Sequence, residues 1–463
     1  MTEPGRNLRT VLRTSAVLVC AIFFAFFLPV RVGAMDTVDF PRALDRAFRG
    51  NPFLSAAGFD YEASREDADA ALGRFFPTLT FDHRFVRTTL PAEAFSLKLN
   101  QSRLAQSDFL DVANFNDPSP RNDFISTLTL EQPLFAPSLY LGRRMAVRES
   151  EAKRLELLRA KEDTAFQVLS AYLDVLTAKA YLAVADQGLS DSLEHRRIAE
   201  AAERAGTGLS SDVLRAKVAV AAAEGAKVTA ENRLELARRS LALAMGEPGG
   251  AEIDAAGPPP EFPEPGPLEE LQAAVSARPD LAAAAMRVDN AGTGETLRRA
   301  EYLPTVGLLG VYQVDAENGP FDADNRSWRI GVGLRWNLFD GLQRESAVSR
   351  AAHERRMAEE RHRGQRDLAS FQVTRAYLGI REAGRRVEIA RAAEASAAEG
   401  VRKIRARYEN QLGRMIDVLD AQSALDQVRA DAVKAENDLR HSRARLLHVT
   451  GALLPWAEKE SGR

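Results

Sequence analysis

The sequence predicts a mainly α-helical protein with a small β part, built as two structural repeats of a strand pair followed by a long helical hairpin. Three observations predict this. From Ile380 to Val449 apolar residues step by three and four alternately, with one bend near Gln411–Asp417. Residues 327–338 alternate strictly between polar and apolar. The two halves of the chain also repeat one another in register.

The helical seam runs through Ile380, Ala383, Val387, Ala390, Glu394, Ala397, Val401, Ile404 and Tyr408. After the bend it resumes through Val418, Ala421, Leu425, Val428, Ala432, Ala435, Leu439, Ser442, Leu446 and Val449. A repeat every ~3.5 residues keeps one face of each helix turned toward a partner. Two such helices joined by a bend form an antiparallel hairpin. No proline interrupts the chain from Asp340 to the bend, so the first arm can reach roughly 100 Å at ~1.5 Å per residue. That is the length of a spacer or a tube wall.

Taken in order, residues 1–34 read as a cleaved signal peptide. Arg6, Arg9 and Arg13 precede the apolar run Ser15–Val30, and Val32-Gly33-Ala34 supplies small residues for a peptidase. Cys20 is the sole cysteine and lies within that run, so the mature chain has no disulfide, thiol nucleophile or thiolate metal site. Cleavage also removes four arginines and one glutamate, leaving the chain more acidic than its formal −3. Such a balance disfavours nucleic acid. Past Val30 no apolar run looks long enough for a membrane helix.

Residues 35–245 form the first repeat. Phe40–Arg74 reads as helix with a break at Asn51-Pro52, and Pro77 ends it. Residues 78–88 alternate, with Leu79, Phe81 and Phe85 opposite Thr80, Asp82 and Arg84. Residues 90–123 read as a loop, 123–135 as the second strand, and 138–245 as the first hairpin. Residues 246–267, crowded with Gly and Pro, are a linker. Residues 268–451 form the second repeat, with strands at 305–315 and 327–339 and a hairpin at 341–449. Residues 452–463 are a C-terminal tail. Leu44, Ala47, Pro52, Leu54, Pro77 and Thr78 recur at one constant offset as Leu271, Ala274, Pro279, Leu281, Pro304 and Thr305. Gly208, Asp212-Val213-Leu214 and Ala216 recur as Gly413, Asp417-Val418-Leu419 and Ala421 at a second offset.

In the last strand Trp328, Ile330, Val332, Leu334 and Trp336 share one face, and Arg329, Gly331, Gly333 and Arg335 the other. Apolar outward, polar inward and Trp near both ends is the pattern of a lipid-facing barrel strand. An open sheet edge is forbidden in lipid, and four strands are too few to close a barrel. If these strands span a membrane, several chains contribute to one barrel. The competing reading is a periplasmic coiled-coil adaptor or scaffold without a pore, which leaves this strand unexplained.

An enzyme is not expected. The six histidines, His83, His195, His353, His362, His441 and His448, form no close metal spacing. There is no Gly-x-Ser-x-Gly and no Walker-type loop. His441 and His448 read as solvated beside the seam. No cofactor is expected.

Several motifs in order resemble the TolC family of outer-membrane efflux and secretion channels. They are Asn51-Pro52, Arg278-Pro279-Asp280-Leu281, Gln132-Pro133-Leu134-Phe135, Asn337-Leu338-Phe339-Asp340-Gly341, Arg407-Tyr408 and Ile416-Asp417-Val418-Leu419-Asp420-Ala421-Gln422. The resemblance covers residues 40–451. It implies a homotrimer with a twelve-stranded barrel among outer-membrane lipids of a Gram-negative cell, continued by an α-helical barrel in the periplasm. The linker and termini would belt that helical barrel. The hairpin tips, with Gly206, Gly208, Leu209, Ser210, Asp212, Gly413 and Met415, would dock a periplasmic adaptor (membrane fusion) protein. Through it they would reach an inner-membrane transporter of the RND or ABC class. Asp417 and Asp420 would ring the periplasmic constriction, with Arg414 and Arg407 as latches. Against the ring stands a simpler role, in which Asp417 caps the returning helix; at Asp212 capping is the expectation.

Overall fold

The computed structural model describes residues 36–110, 112–247, 252–320 and 322–460. The expected signal peptide lies outside the described residues. The chain begins with β1 (Asp36–Val38), α1 (Phe40–Gly50) and α2 (Pro52–Gly73), followed by β2 (Thr78–Thr88), α3 (Pro91–Asn100), the short α4 (Ala113–Asn116) and β3 (Arg121–Phe135). The first hairpin is α5 (Pro137–Arg204) and α6 (Ser210–Ala244). Then come β4 (Ile253–Ala255), α7 (Leu268–Ala274), α8 (Pro279–Ala300), β5 (Thr305–Ala316) and β6 (Asn325–Arg335). The second hairpin is α9 (Gln343–Glu409) and α10 (Met415–Thr450), and α11 (Leu453–Glu460) closes the chain.

The helix break at Asn51 follows from local chemistry. Asn51 accepts from the Phe53 and Leu54 backbone N–H groups, while Pro52 takes the first helical turn. Its Nδ2 also donates to the Ala244 carbonyl at 3.0 Å. The same side chain therefore caps α2 and ties it to the end of the first hairpin.

The long arms have 68 residues in α5 and 67 in α9, about 100 Å each at ~1.5 Å per residue. Every seam position of the second hairpin from Ile380 to Val449 is buried or half-buried. In α6 the seam residues Val213, Ala216, Val220, Ala230, Leu234 and Leu241 are buried against α5. One window of α5 is, by length and composition, apolar enough to cross a membrane, contrary to the expectation from the sequence. Its helix supplies Val168, Leu169, Tyr172, Leu173 and Val175 to the main core.

That core is a belt around the middle of the helices. β1 pairs in parallel with β4, joining Asp36–Val38 to residues 253–255 of the linker. Phe40 and Leu44 of α1, Leu241 of α6 and Leu453 of α11 pack on α5 there. A second packet joins Val275 and Leu281 to Val373, Ile380 and Leu446. A third lies at the hairpin tips.

The four long strands form one antiparallel sheet in the order β2-β3-β5-β6. The β3–β5 ladder joins the two repeats, leaving β2 and β6 at the edges. The register sets Phe81 beside Leu128, Leu128 beside Tyr312, and Tyr312 beside Trp328. Leu79, Leu130, Leu308, Ile330, Val332 and Leu334 extend this apolar face on one side, and Phe85 lies on the same face beyond the row of His83, Ser126 and Arg326. Thr80, Arg84, Thr127, Thr129, Gln313, Arg329 and Arg335 lie on the other. Trp328, Ile330, Val332 and Leu334 are all more than 60% exposed in the single chain.

Two sequence expectations need correction. β6 ends at Arg335, so Trp336 lies beyond the ladder, where its Nε1 donates to the Tyr302 carbonyl at 3.0 Å. Its partner strand begins at Thr305, opposite Arg335, and there is nothing further to pair with. The 90–123 loop contains a ten-residue helix, α3. Its Ala94 and Leu97 are buried at the same end of the sheet as Ile125, which points to the polar face.

The face assignment is testable by reconstitution. Val332→Arg should reduce assembly into lipid, at about 2–4 kcal/mol if the site is near the midplane. Gly331→Arg, on the other face with open space at its Cβ, should assemble normally. Equal loss of folded, heat-modifiable protein for both would contradict the assignment.

Candidate functional site: the hairpin tips

Both tips reverse direction through a left-handed residue. At the first, Gly206 has φ +74° and the Thr207 and Gly208 N–H groups donate to the Ala202 carbonyl. At the second, Gln411 holds the equivalent conformation at φ +62°, and the Leu412 N–H donates to the Arg407 carbonyl at 2.8 Å. This is the helix-ending pattern that glycine normally serves. Gly208 is needed for a different reason, since a Cβ there would lie 2.9 Å from the Ala202 Cβ and the Glu203 nitrogen.

The tips pack on one another. Ala199 and Val213 of the first hairpin meet Met415 and Val418 of the second, with Ile404 and Tyr408 alongside. Met415 is 1% exposed, so it holds the tips together and offers no surface to a partner, contrary to its expected docking role. The first hairpin covers it, a contact between residues about 200 apart in sequence. Leu209 and Leu412 are apolar and exposed in the two turns, and the sequence reading passed over Leu412. Its signal was a leucine inside a turn between two helices. Ser210 starts α6 and is exposed, and Gly413 sits half-buried in the second turn.

Arg414 and Asp417 are brought together. Asp417 Oδ1 accepts from Arg414 Nη2 at 3.0 Å, and Oδ2 faces the Arg414 backbone N–H at 3.3 Å. Asp417 thus closes the start of α10, and the Arg414 guanidinium holds its carboxyl below the usual carboxylate range. Asp420, one turn on, is exposed. Arg407 reaches the Leu412 carbonyl at 3.5 Å, across its own turn. Asp212 lies in the first turn of α6, but the N-cap there, Leu209, makes no side-chain cap bond. Burial and then the Asp212 charge push the Tyr408 phenol up, placing that carboxylate beside the second hairpin.

Behind the tips a polar network joins α5 to α10. Gln422 Nε2 donates to Asp191 at 3.0 Å and to Asp426 at 2.9 Å, with the buried His195 at 3.5 Å from Gln422 Oε1. Arg429 approaches Asp191 at 3.6 Å and Asp426 at 3.8 Å. Gly188 makes room for it, because a Cβ there would stand 3.1 Å from Asp426 Oδ2. Burial raises the Asp426 carboxyl, with the Asp191 charge adding to it.

The other histidines near the seam are paired, where the sequence suggested solvation. His448 Nε2 lies 2.6 Å from Asp163, and its ring stacks on Phe166 at 4.5 Å. His441 lies 3.1 Å from Asp174. Among the described residues no group of three His, Cys, Asp or Glu side chains could hold a metal.

The sequence profile of the family described as "Outer membrane efflux protein" matches residues 43–247 and 271–452. The outer membrane efflux protein BepC of Brucella suis biovar 1 is 25% identical over 72% of this chain and 74% of its own length. The alkaline protease secretion protein AprF of Pseudomonas aeruginosa is 24% identical over 94% of this chain and 89% of its own. The crystal structure of the Campylobacter jejuni CmeC outer membrane channel superposes with a TM-score of 0.77 at 14% identity, covering 89% of this chain and 86% of that one.

Two measurements probe the tip. Gln411→Gly should stabilise the protein by roughly 0.5–1 kcal/mol, since it relieves a left-handed side chain but frees the unfolded chain; an unchanged or lower Tm would contradict this. The Arg414–Asp417 link should persist above about pH 4, the unfolded carboxylate range, and be lost as pH falls through the lower folded value. Protection of the amides at the start of α10, relative to their intrinsic exchange rates, should therefore fall only in that acid range, and Asp417→Asn should remove that fall.

Proposed function

The chain belongs to the outer membrane efflux protein family, and from that footing we propose that it works as a trimeric conduit gated at its hairpin tips. Its general role is that of an outer-membrane channel component of efflux or type I secretion systems in a Gram-negative cell, with the helical part in the periplasm. The family consists of channels, and no catalytic role is proposed for this chain.

The observation that carries the trimer is the open sheet. β2 and β6 each present an unpaired edge, and the apolar face between them is exposed in the single chain. In lipid, unpaired backbone groups cost several kcal/mol each, so these edges must find partners. Three copies supply twelve strands, enough to close a barrel. The helices support the same reading, since Leu214, Val218, Leu236 and Leu243 of α6 and Leu368, Phe371, Leu378 and Ile389 of α9 are exposed. These apolar residues fit contacts between neighbouring copies. A pore-free scaffold would leave both the sheet and its apolar face without a role.

Leu209 and Leu412 are the exposed apolar residues of the two tips, and they suit docking by a periplasmic adaptor. An inner-membrane transporter of the RND or ABC class would be reached through that adaptor. Convergence of three second hairpins would bring the exposed Asp420 carboxylates into a ring, joined by Asp417. Like charges confined this way attract cations.

Planar-bilayer recording tests the gate. The protein should conduct cations selectively, and multivalent cations added on the periplasmic side should block it. Asp417→Asn with Asp420→Asn should weaken the block while leaving the oligomer intact, because the strands and seams are untouched. Full selectivity and block in the double variant would return Asp417 to a helix-capping role alone.

A further inference from the structure

At the end of the sheet far from the hairpins, two carboxylates are buried together on the polar face. Asp123, near the start of β3, is 0% exposed, and Asp315, near the end of β5, is 1% exposed. Ile125 stands directly opposite Asp315, which sets Asp123 on the diagonal of the same face, within hydrogen-bonding reach of Asp315. Among the described residues neither carboxylate has an ion-pair partner. Arg103, just past α3, pairs with Glu317 instead. Asp123 Oδ2 has no hydrogen-bond partner, although its residue is wholly buried.

Side-chain amides approach both carboxylates, while Arg84 stands in the same cross-strand row, opposite Ile125, without pairing with either. Gln101 follows α3, is 4% exposed, and its Nε2 lies 3.0 Å from Asp123 Oδ1 and 2.8 Å from the Asn122 carbonyl. Gln313 Nε2 lies 2.9 and 3.1 Å from the two Asp315 oxygens. The Ala316 N–H also faces Asp123. Two like charges taken out of water without a counter-charge are strongly unfavourable. A side-chain amide can rotate to present oxygen in place of nitrogen. Two carboxylates, two amide oxygens and the Asn122 carbonyl would then make a hard oxygen set, of the kind that suits a calcium-sized cation and offers nothing to a soft one.

We propose that Asp123 and Asp315, with Gln101 and Gln313, bind a divalent cation of the calcium class at the outer mouth of the barrel. Its placement outside the cell rests on the channel reading; the binding itself does not. The site joins both repeats, through β3 and β5, to the helical loop through Gln101. Asn325 Nδ2, which donates to the Asn100 carbonyl at 2.6 Å, already ties that loop to β6. A bound cation would therefore clamp α3 over the polar face. Extracellular calcium sites have affinities of about 10⁻⁴–10⁻³ M, which suits calcium as an occupant on the cell surface.

The test uses the full-length protein in detergent, in an Asp417→Asn/Asp420→Asn background so that the tip carboxylates do not contribute. Calorimetric titration with calcium chloride should give about one ion per chain at sub-millimolar to millimolar affinity. Calcium should also slow tryptic cleavage after Arg103. Asp315→Asn should lower affinity by about tenfold or more, as expected for loss of one charged ligand. Gln101→Ala, which leaves the strands untouched, should lower it and restore fast cleavage. No calcium binding, or equal binding by both variants, would overturn the proposal. So would calcium-independent protection that changes only with pH, because the pair would then share a proton. Normal bilayer conductance with no calcium binding would sink this proposal alone, whereas binding without conductance would sink the channel reading and spare the site.

Discussion

The structure depends on one constraint: a backbone N–H or C=O inside a bilayer must have a partner. The β2-β3-β5-β6 sheet satisfies that within itself everywhere except along its two outer edges. The chain is thus an unfinished object with one apolar face and two open edges. The duplication of strand pair and hairpin follows naturally, because each repeat contributes two strands and one hairpin to the same architecture. The β3–β5 ladder is where the two repeats become one sheet.

The helices solve a different problem, reaching about 100 Å through water without a conventional globular core. They do so with a narrow Ala-rich seam and dense surface ion pairs within each helix, such as Arg154–Glu151 and Arg402–Glu399. Exposed pairs of that kind contribute little each. The larger apolar residues are concentrated where they fix geometry: at the belt, around Val168, Leu169 and Tyr172, and at the tips, around Met415 and Val418. Between those packets the hairpins are joined by the polar Asp191–Gln422–Asp426–Arg429 network. A polar junction can exchange partners at less cost than a packed apolar one can separate.

What could be read from the sequence was what local chemistry decides. α2 ends at Gly73, Pro77 bars any return to helix, and β2 begins at Thr78 where strict alternation starts. The seams follow from spacing alone. What could not be read came from distant partners. The alternation of β6 runs on through Trp336, but the ladder stops where β5 supplies no more residues. Helix α3 gains its burial beside Ile125, reached only through the fold, and Met415 is covered by the other hairpin. Gln411 shows the opposite lesson: a residue poorly suited to its conformation was still held there by the turn. The buried Asp123–Asp315 pair left no sequence signal, since its members lie on separate repeats.

The central claim is that the open edges of one chain are closed by another. Cysteines placed one at a time on the polar face of β2, at Thr78, Thr80 and Asp82, can each be combined with Gly331→Cys on β6. Cys20, the sole native cysteine, lies in the expected leader. Within one chain β3 and β5 separate the two edges by roughly 14 Å, too far for a disulfide. Oxidation in intact outer membranes should yield covalent dimers and trimers, but nothing larger, for the pair in register. Monomer alone at every register, with the protein correctly inserted, would contradict the account.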